Sequence, residues 1–118
     1  MIYTTSIFAS KDSREILFHF DKEYEALEMF FATDVSQFHR SIVRDINKVL
    51  TGKTQEEDSS GNACSWTITK DYCSIEYMYK EDERGFANCR ISTVELLELI
   101  KEWRKQNKLL QKKIDKRK

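Results

Sequence analysis

Residues 62–79 read NACSWTITKDYCSIEYMY, two alternating runs that meet at Lys70-Asp71. Cys64, Trp66 and Ile68 share one side of the first run, with Ala63, Ser65, Thr67 and Thr69 on the other. In the second run Cys73, Ile75 and Tyr77 oppose Tyr72, Ser74, Glu76 and Met78. Successive side chains leave a pleated backbone on opposite sides, so this period of two predicts a pair of half-buried strands. A two-residue loop at Lys70-Asp71 sets Ile68 opposite Cys73, Trp66 opposite Ile75 and Cys64 opposite Tyr77. Apolar residues then meet across the pair, and a one-residue slip would destroy every match. Lys-Asp is a poor sequence for a tight primed turn, which keeps a longer loop open as the alternative.

On the C-terminal side, residues 80–84 (KEDER) form a charged loop containing Glu81, Asp82 and Glu83. Residues 86–91 alternate Ala87, Cys89 and Ile91 against Phe86, Asn88 and Arg90, a third strand for the same sheet. Ser92 and Glu95 then have capping-box spacing, with Ile91 placed to staple onto Leu96. The helix they start buries Leu96, Leu97, Ile100 and Trp103. Beyond Trp103 the apolar stripe thins, so the tail reads either as an extension of the helix or as a fraying end.

On the N-terminal side, residues 53–61 (KTQEEDSSG) read as a polar loop bearing Glu56, Glu57 and Asp58. Before it, residues 34–50 predict a helix, with Asp34 and Gln37 as a capping box and Gly52 as the stop. Val35, Phe38, Ile42, Ile46 and Val49 form its buried stripe, while Arg40, Arg44, Asp45 and Lys48 face solvent with His39. Asp21 can cap a shorter helix over residues 22–32, burying Tyr24, Leu27 and Phe31 and turning Glu23, Glu25 and Glu28 outward. A strand over residues 27–31 is the competing assignment. Residues 2–9 and 14–20 read as two strands of a hairpin around a turn at Lys11-Asp12-Ser13. His19, opposite Phe18 and Phe20, reads as a partly exposed sheet residue rather than a catalytic group.

The 118 residues make one domain, with fourteen aromatic side chains to fill a core. No apolar run approaches the ~20 residues a membrane helix needs. Three cysteines and no recognisable secretory leader point to reduced thiols and a cytoplasmic location. Formal net charge is zero, yet residues 101–118 hold nine Lys/Arg against two Asp/Glu, so the remainder carries the opposite excess. The sequence therefore divides into residues 1–105, an α+β domain, and 106–118, a basic tail. Its architecture is an antiparallel sheet of about five strands with two or three helices on one face.

No phosphate-binding glycine loop, HExxH, GxSxG or paired zinc-cysteine spacing is present. Cys64, Cys73 and Cys89 all fall on apolar strand faces, so buried core thiols are favoured over a metal site. No catalytic residue, metal, cofactor or small-molecule substrate is expected, and the chain does not read as an enzyme.

Two stretches carry a family resemblance: SSGNACSWTITKDYCSIEY at 59–77 and CRISTVELLELIKEW at 89–103, with VLTGK closing the helix at 49–53. They resemble bacterial immunity proteins encoded beside polymorphic or contact-dependent growth inhibition toxins. The resemblance covers residues 34–103, more loosely 16–25, and leaves out the basic tail. It implies an α+β protein that binds and neutralises one cognate toxin C-terminal domain, often a nuclease. Nucleases hold phosphate on basic surfaces, so Glu23, Glu25, Glu28, Glu56, Glu57, Asp58, Glu81, Asp82 and Glu83 are the candidate toxin contacts. For any one of them the plainer reading is solvated surface. A different class, a small nucleic-acid-binding module using the basic tail, is disfavoured because those bases lack interleaved aromatics and the body is acidic.

Overall fold

A computed structural model describes residues 2–9, 11, 13–79 and 88–116, with the backbone alone for 114–116. The central alternation forms β4 (Cys64–Thr69) and β5 (Tyr72–Tyr77), paired antiparallel in the expected register, with Ile68 opposite Cys73 and Trp66 opposite Ile75. The loop is the two-residue one. No described non-glycine residue has positive φ, so the turn is not of the primed kind. Thr69 does the holding instead: its hydroxyl donates to the Tyr72 carbonyl at 2.8 Å and accepts from the Tyr72 N–H at 3.2 Å. A side chain that satisfies both backbone groups replaces the asparagine-glycine chemistry such a turn ordinarily needs.

β6 (Cys89–Ser92) adds to β5, with Cys73 opposite Ile91. Residues 80–87, which include the charged loop and the first part of the expected strand, lie outside the described residues. On the other side the expected polar loop contains a strand, β3 (Glu56–Ser60), paired with β4. It lacks an apolar alternation because it is an edge strand: Glu57 and Ser59 lie opposite Ile68 and Trp66 yet line the rim. Backbone pairing made this strand, and side-chain pattern could not announce it.

β1 (Thr4–Ala9) and β2 (Arg14–His19) form a separate hairpin, with Ile7 opposite Ile16 and Thr5 opposite Phe18. The α+β class is as expected. Its strands divide over a four-stranded sheet, β3-β4-β5-β6, and the two-stranded β1-β2.

Between them the chain is helical from Lys22 to Leu50 with changes of pitch: a 3-10 turn, α1 (Glu25–Met29), a wide π turn (Phe30–Val35) and α2 (Ser36–Leu50). Asp21 precedes this helix, but its side chain makes no capping bond; the Tyr24 N–H bonds to its backbone carbonyl instead. The expected helix start at Asp34 is displaced as well. Helix runs straight through that position, and the Asp34 side chain is fully buried. Phe38 departs from the buried stripe, at 37% exposure and with φ −119°, a local kink that turns the ring out. Ile42, Ile46 and Val49 are buried as expected. Gly52 has φ +79°, and the Lys53 and Gly52 N–H groups bond back to the Lys48 and Val49 carbonyls. That left-handed glycine closes α2 as a Schellman stop.

α3 (Thr93–Lys116) begins where the capping signal predicts, with the Glu95 N–H donating to Ser92 Oγ at 3.3 Å. Leu96, Leu97, Leu99, Ile100 and Trp103 are buried. The helix continues unbroken past residue 105 and reaches β2. There the Ile16 N–H donates to Asn107 Oδ1 (2.8 Å), Trp103 Nε1 donates to the Ile16 carbonyl (3.2 Å), and Gln111 Nε2 donates to the Arg14 carbonyl (2.8 Å). Side chains at i, i+4 and i+8 of one helix thus occupy the outer edge of β2. α1 and α2 cover the inner face of the larger sheet, where Cys64, Trp66, Ile68, Cys73, Ile75, Cys89 and Ile91 meet Leu27, Phe30, Ile42 and Ile46.

Candidate functional site

The most concentrated polar arrangement is built on Asp34. Its carboxylate accepts the backbone N–H of Asn62 at 2.6 Å and of Cys64 at 2.8 Å, with the Ala63 N–H 3.3 Å away. Gln37 Oε1 accepts from Asn62 Nδ2 at 2.8 Å on the next turn. A Cβ at Gly61 would collide with the Asp34 carboxyl group, so only glycine lets the chain approach this closely. The Gly-Asn-Ala-Cys stretch is therefore a backbone cradle around one buried carboxylate. It pins the start of β4 to the helix layer. Its hydrogen bonds are spent inside the molecule, which makes it a brace rather than a reaction centre.

The thiols fit the same description. All three are buried and free. Burial pushes Cys64 up to about 12, with the Asp34 charge adding to it, and raises Cys73 and Cys89 to about 11. Thiols in such an environment carry almost no thiolate at neutral pH, so they are poor nucleophiles and poor ligands.

His39 is not on the outer surface expected for it. Its ring lies 5.4 Å from that of Trp103, and Nδ1 accepts from Arg104 Nε at 2.9 Å, joining α2 to α3. Burial, then the neighbouring Arg104 and Arg40 charges, lower its pKa. The neutral ring is the form that can accept the Arg104 proton. The α2 periodicity assigns His39 to solvent, whereas α3 approaches that flank and covers it, a fact no local pattern contains. His19 remains a partly exposed sheet residue, 2.6 Å from Ser6 Oγ and 3.7 Å from the Glu28 carboxylate.

The candidate contact acids fall in two described groups. Glu56 and Asp58 are exposed on the outer face of the four-stranded sheet, across from Thr69 and Thr67. Glu76, which the sequence reading left out, is exposed on that face too, opposite Ser65. Glu57, between the first two, turns to the helix side and is half-buried. Glu23 is exposed, whereas Glu25 and Glu28 are half-buried on α1, and Glu28 accepts the Phe20 N–H at 2.9 Å. α1 packs on β5 and β6, and two strand spacings, about 10 Å, separate β5 from β3. Glu81, Asp82 and Glu83 lie outside the described residues. Of opposite sign, Arg40, Arg44, Lys48 and Lys53 line a shallow groove with Val43, Asn47 and Thr51 along the outer face of α2.

These features define a small α+β domain whose most elaborate polar chemistry serves its own folding and whose faces differ in charge. An immunity protein of Bacillus cereus is 32% identical to it over 98 residues, which is 83% of this chain and 83% of the relative. No family model matches the chain, and no solved structure does. The chain belongs to the family of that immunity protein. Among the described residues no helix is long and apolar enough to cross a membrane.

Proposed function

We propose that this protein is a stoichiometric, non-catalytic inhibitor of a toxin domain, a nuclease of a polymorphic or contact-dependent growth inhibition system, met in the cytoplasm. The kinship with the Bacillus cereus immunity protein over most of both chains carries this reading. The acids support the nuclease part of it. A surface that grips a phosphate backbone is basic, and carboxylates presented to it accelerate encounter through complementary fields. Glu56 and Asp58, exposed side by side on one sheet face, are the described acids best disposed for this, with Glu23, Glu25, Glu28 and Glu57 secondary. Glu81, Asp82 and Glu83 belong to the same proposal by sequence.

The test pairs the chain with the toxin domain that this reading expects to be encoded beside it. Co-expression should restore growth, and the purified pair should form a one-to-one complex. Glu56→Lys with Asp58→Lys should slow association several-fold at low salt and much less at high salt, with dissociation little changed. The same reversal at 81–83 compares the loop with the strand. Rates unchanged in both variants would move the contact surface elsewhere; no complex and no protection would end the inhibitor reading.

A further inference from the structure

Among the described residues each strand edge but one is blunted. The outer edge of β2 is occupied by Trp103, Asn107 and Gln111 of α3. β3 carries Glu56, Glu57 and Asp58 along its rim, and β6 is only four residues long. β1 has none of these protections. From Ile2 to Ala9 it holds no charge and no proline, Thr4–Ala9 is exposed throughout, and Ile2, Ile7 and Phe8 are 87%, 58% and 52% exposed. Among the described residues no strand pairs with its second edge. Such an edge is a template for another strand.

We propose that β1 is the interface between two copies of this chain, joined antiparallel about a two-fold axis at Ser6. The register follows from α3. Because Asn107 and Trp103 take the Ile16 N–H and carbonyl, those groups point away from β1. Ile7, directly opposite Ile16, therefore points its own N–H and carbonyl away from β2, as do Thr5 and Ala9 by alternation. Outward groups must face outward groups. Centring on Ser6 sets Thr5 against Ile7 of the second copy and Tyr3 against Ala9, the arrangement that uses the whole strand. It also sets Phe8 beside Thr4, an aromatic on a β-branched residue. A second copy suits this edge because the strand offers no charge for a foreign partner to select. With a formal net charge of zero, two copies also meet without net charge repulsion. The product is a continuous β2-β1-β1-β2 sheet whose two ends are each closed by an α3 helix. This proposal is independent of the toxin reading.

Ser6 would face Ser6 in a non-hydrogen-bonded pair, with Cα atoms about 4.5 Å apart, inside the range a disulfide spans. Ser6→Cys in the full chain, oxidised mildly, should give a covalent species of twice the 14.1 kDa chain mass. Thr5→Cys should not, because Thr5 faces Ile7 across the axis. The native cysteines are buried and do not compete. Sedimentation of the unmodified chain from micromolar to sub-millimolar concentration should show reversible doubling of mass. Ile7→Pro removes an outward N–H and leaves the hairpin bonds alone, so it should stay monomeric with an unchanged circular dichroism spectrum. A chain that is monomeric throughout, a dimer that survives Ile7→Pro, or equal crosslinking at positions 5 and 6 would overturn the proposal.

Discussion

The two hairpins of this protein are held in opposite ways. β4–β5 sits between β3 and β6, and its inner residues Cys64, Trp66, Ile68, Cys73 and Ile75 are all buried. β1–β2 stands outside that sheet, with an exposed first strand and a second strand fastened by α3 side chains 87 to 97 residues away in sequence. Both read as strand pairs, yet only the first is held mainly by the alternation that reveals it. The second rests on Phe18, stacked on Tyr3 with ring centroids 4.5 Å apart, and on polar bonds from a helix far along the chain. Alternation shows that a strand has a core side; what secures its edges is a separate matter.

The largest test of that contrast is Asp34→Ala. It removes the acceptor for the Asn62 and Cys64 N–H groups at the start of β4, leaving the Cys64 N–H buried without a partner and depriving the part-buried Asn62 N–H of its bond. Urea unfolding should show a loss of about 3 kcal/mol. Asp34→Asn, which keeps a carbonyl acceptor but adds donors to a crowded cradle, should cost less. A loss below about 0.5 kcal/mol for the alanine variant, the scale of an ordinary surface change, would mean that the cradle is ornamental.

Asn107→Ala addresses the other hairpin. It orphans the Ile16 N–H and should cost about 1 kcal/mol. The sharper readout is where the damage falls. Amide hydrogen exchange should accelerate across β1–β2 and stay unchanged in β4–β5, because the former opens locally. Uniform acceleration over both hairpins would show that they unfold as one unit.

The smallest effect concerns pH. The His39 pKa is lower in the folded chain than its ordinary 6.5, through burial and the Arg104 and Arg40 charges. The unfolded chain therefore binds more protons there as pH falls. This contribution to stability is whole above about pH 6.5 and is lost as pH drops below it, because a protonated ring cannot accept the Arg104 N–H. His39→Gln should flatten the pH dependence of the denaturation midpoint between pH 7 and 5. An unaltered slope would assign the dependence to other groups.

The physical limits of pattern reading show at single residues. Asp34 with Gln37 has the spacing of a capping box, and the same two side chains instead receive the Asn62 backbone and side chain. Local spacing cannot tell whether a carboxylate bonds to its own helix or to a loop 28 residues later. β3 was hidden because an edge strand needs no apolar period. Glu56, Glu57 and Asp58 were visible as acids, but only the pairing with β4 sends Glu57 to the face opposite its neighbours. The β5 alternation places Glu76 on the outer face, yet it is not among the candidate contacts because it stands alone among uncharged residues of β5; its company on that face comes from other strands.

By itself the sequence determined the α+β class, the β4–β5 register, the Gly52 stop and the Ser92 start of α3. Each of these depends on side chains within a few residues of one another, where periodicity and capping chemistry act. Tertiary structure alone decided the division into two sheets, the burial of Asp34 under the Gly61-Asn62 turn, and the place of His39 against Trp103. It also decided that α3 closes one edge of β2 and leaves β1 open. Those outcomes join groups dozens of residues apart, and which donors remain unsatisfied is known only once the chain has closed around them.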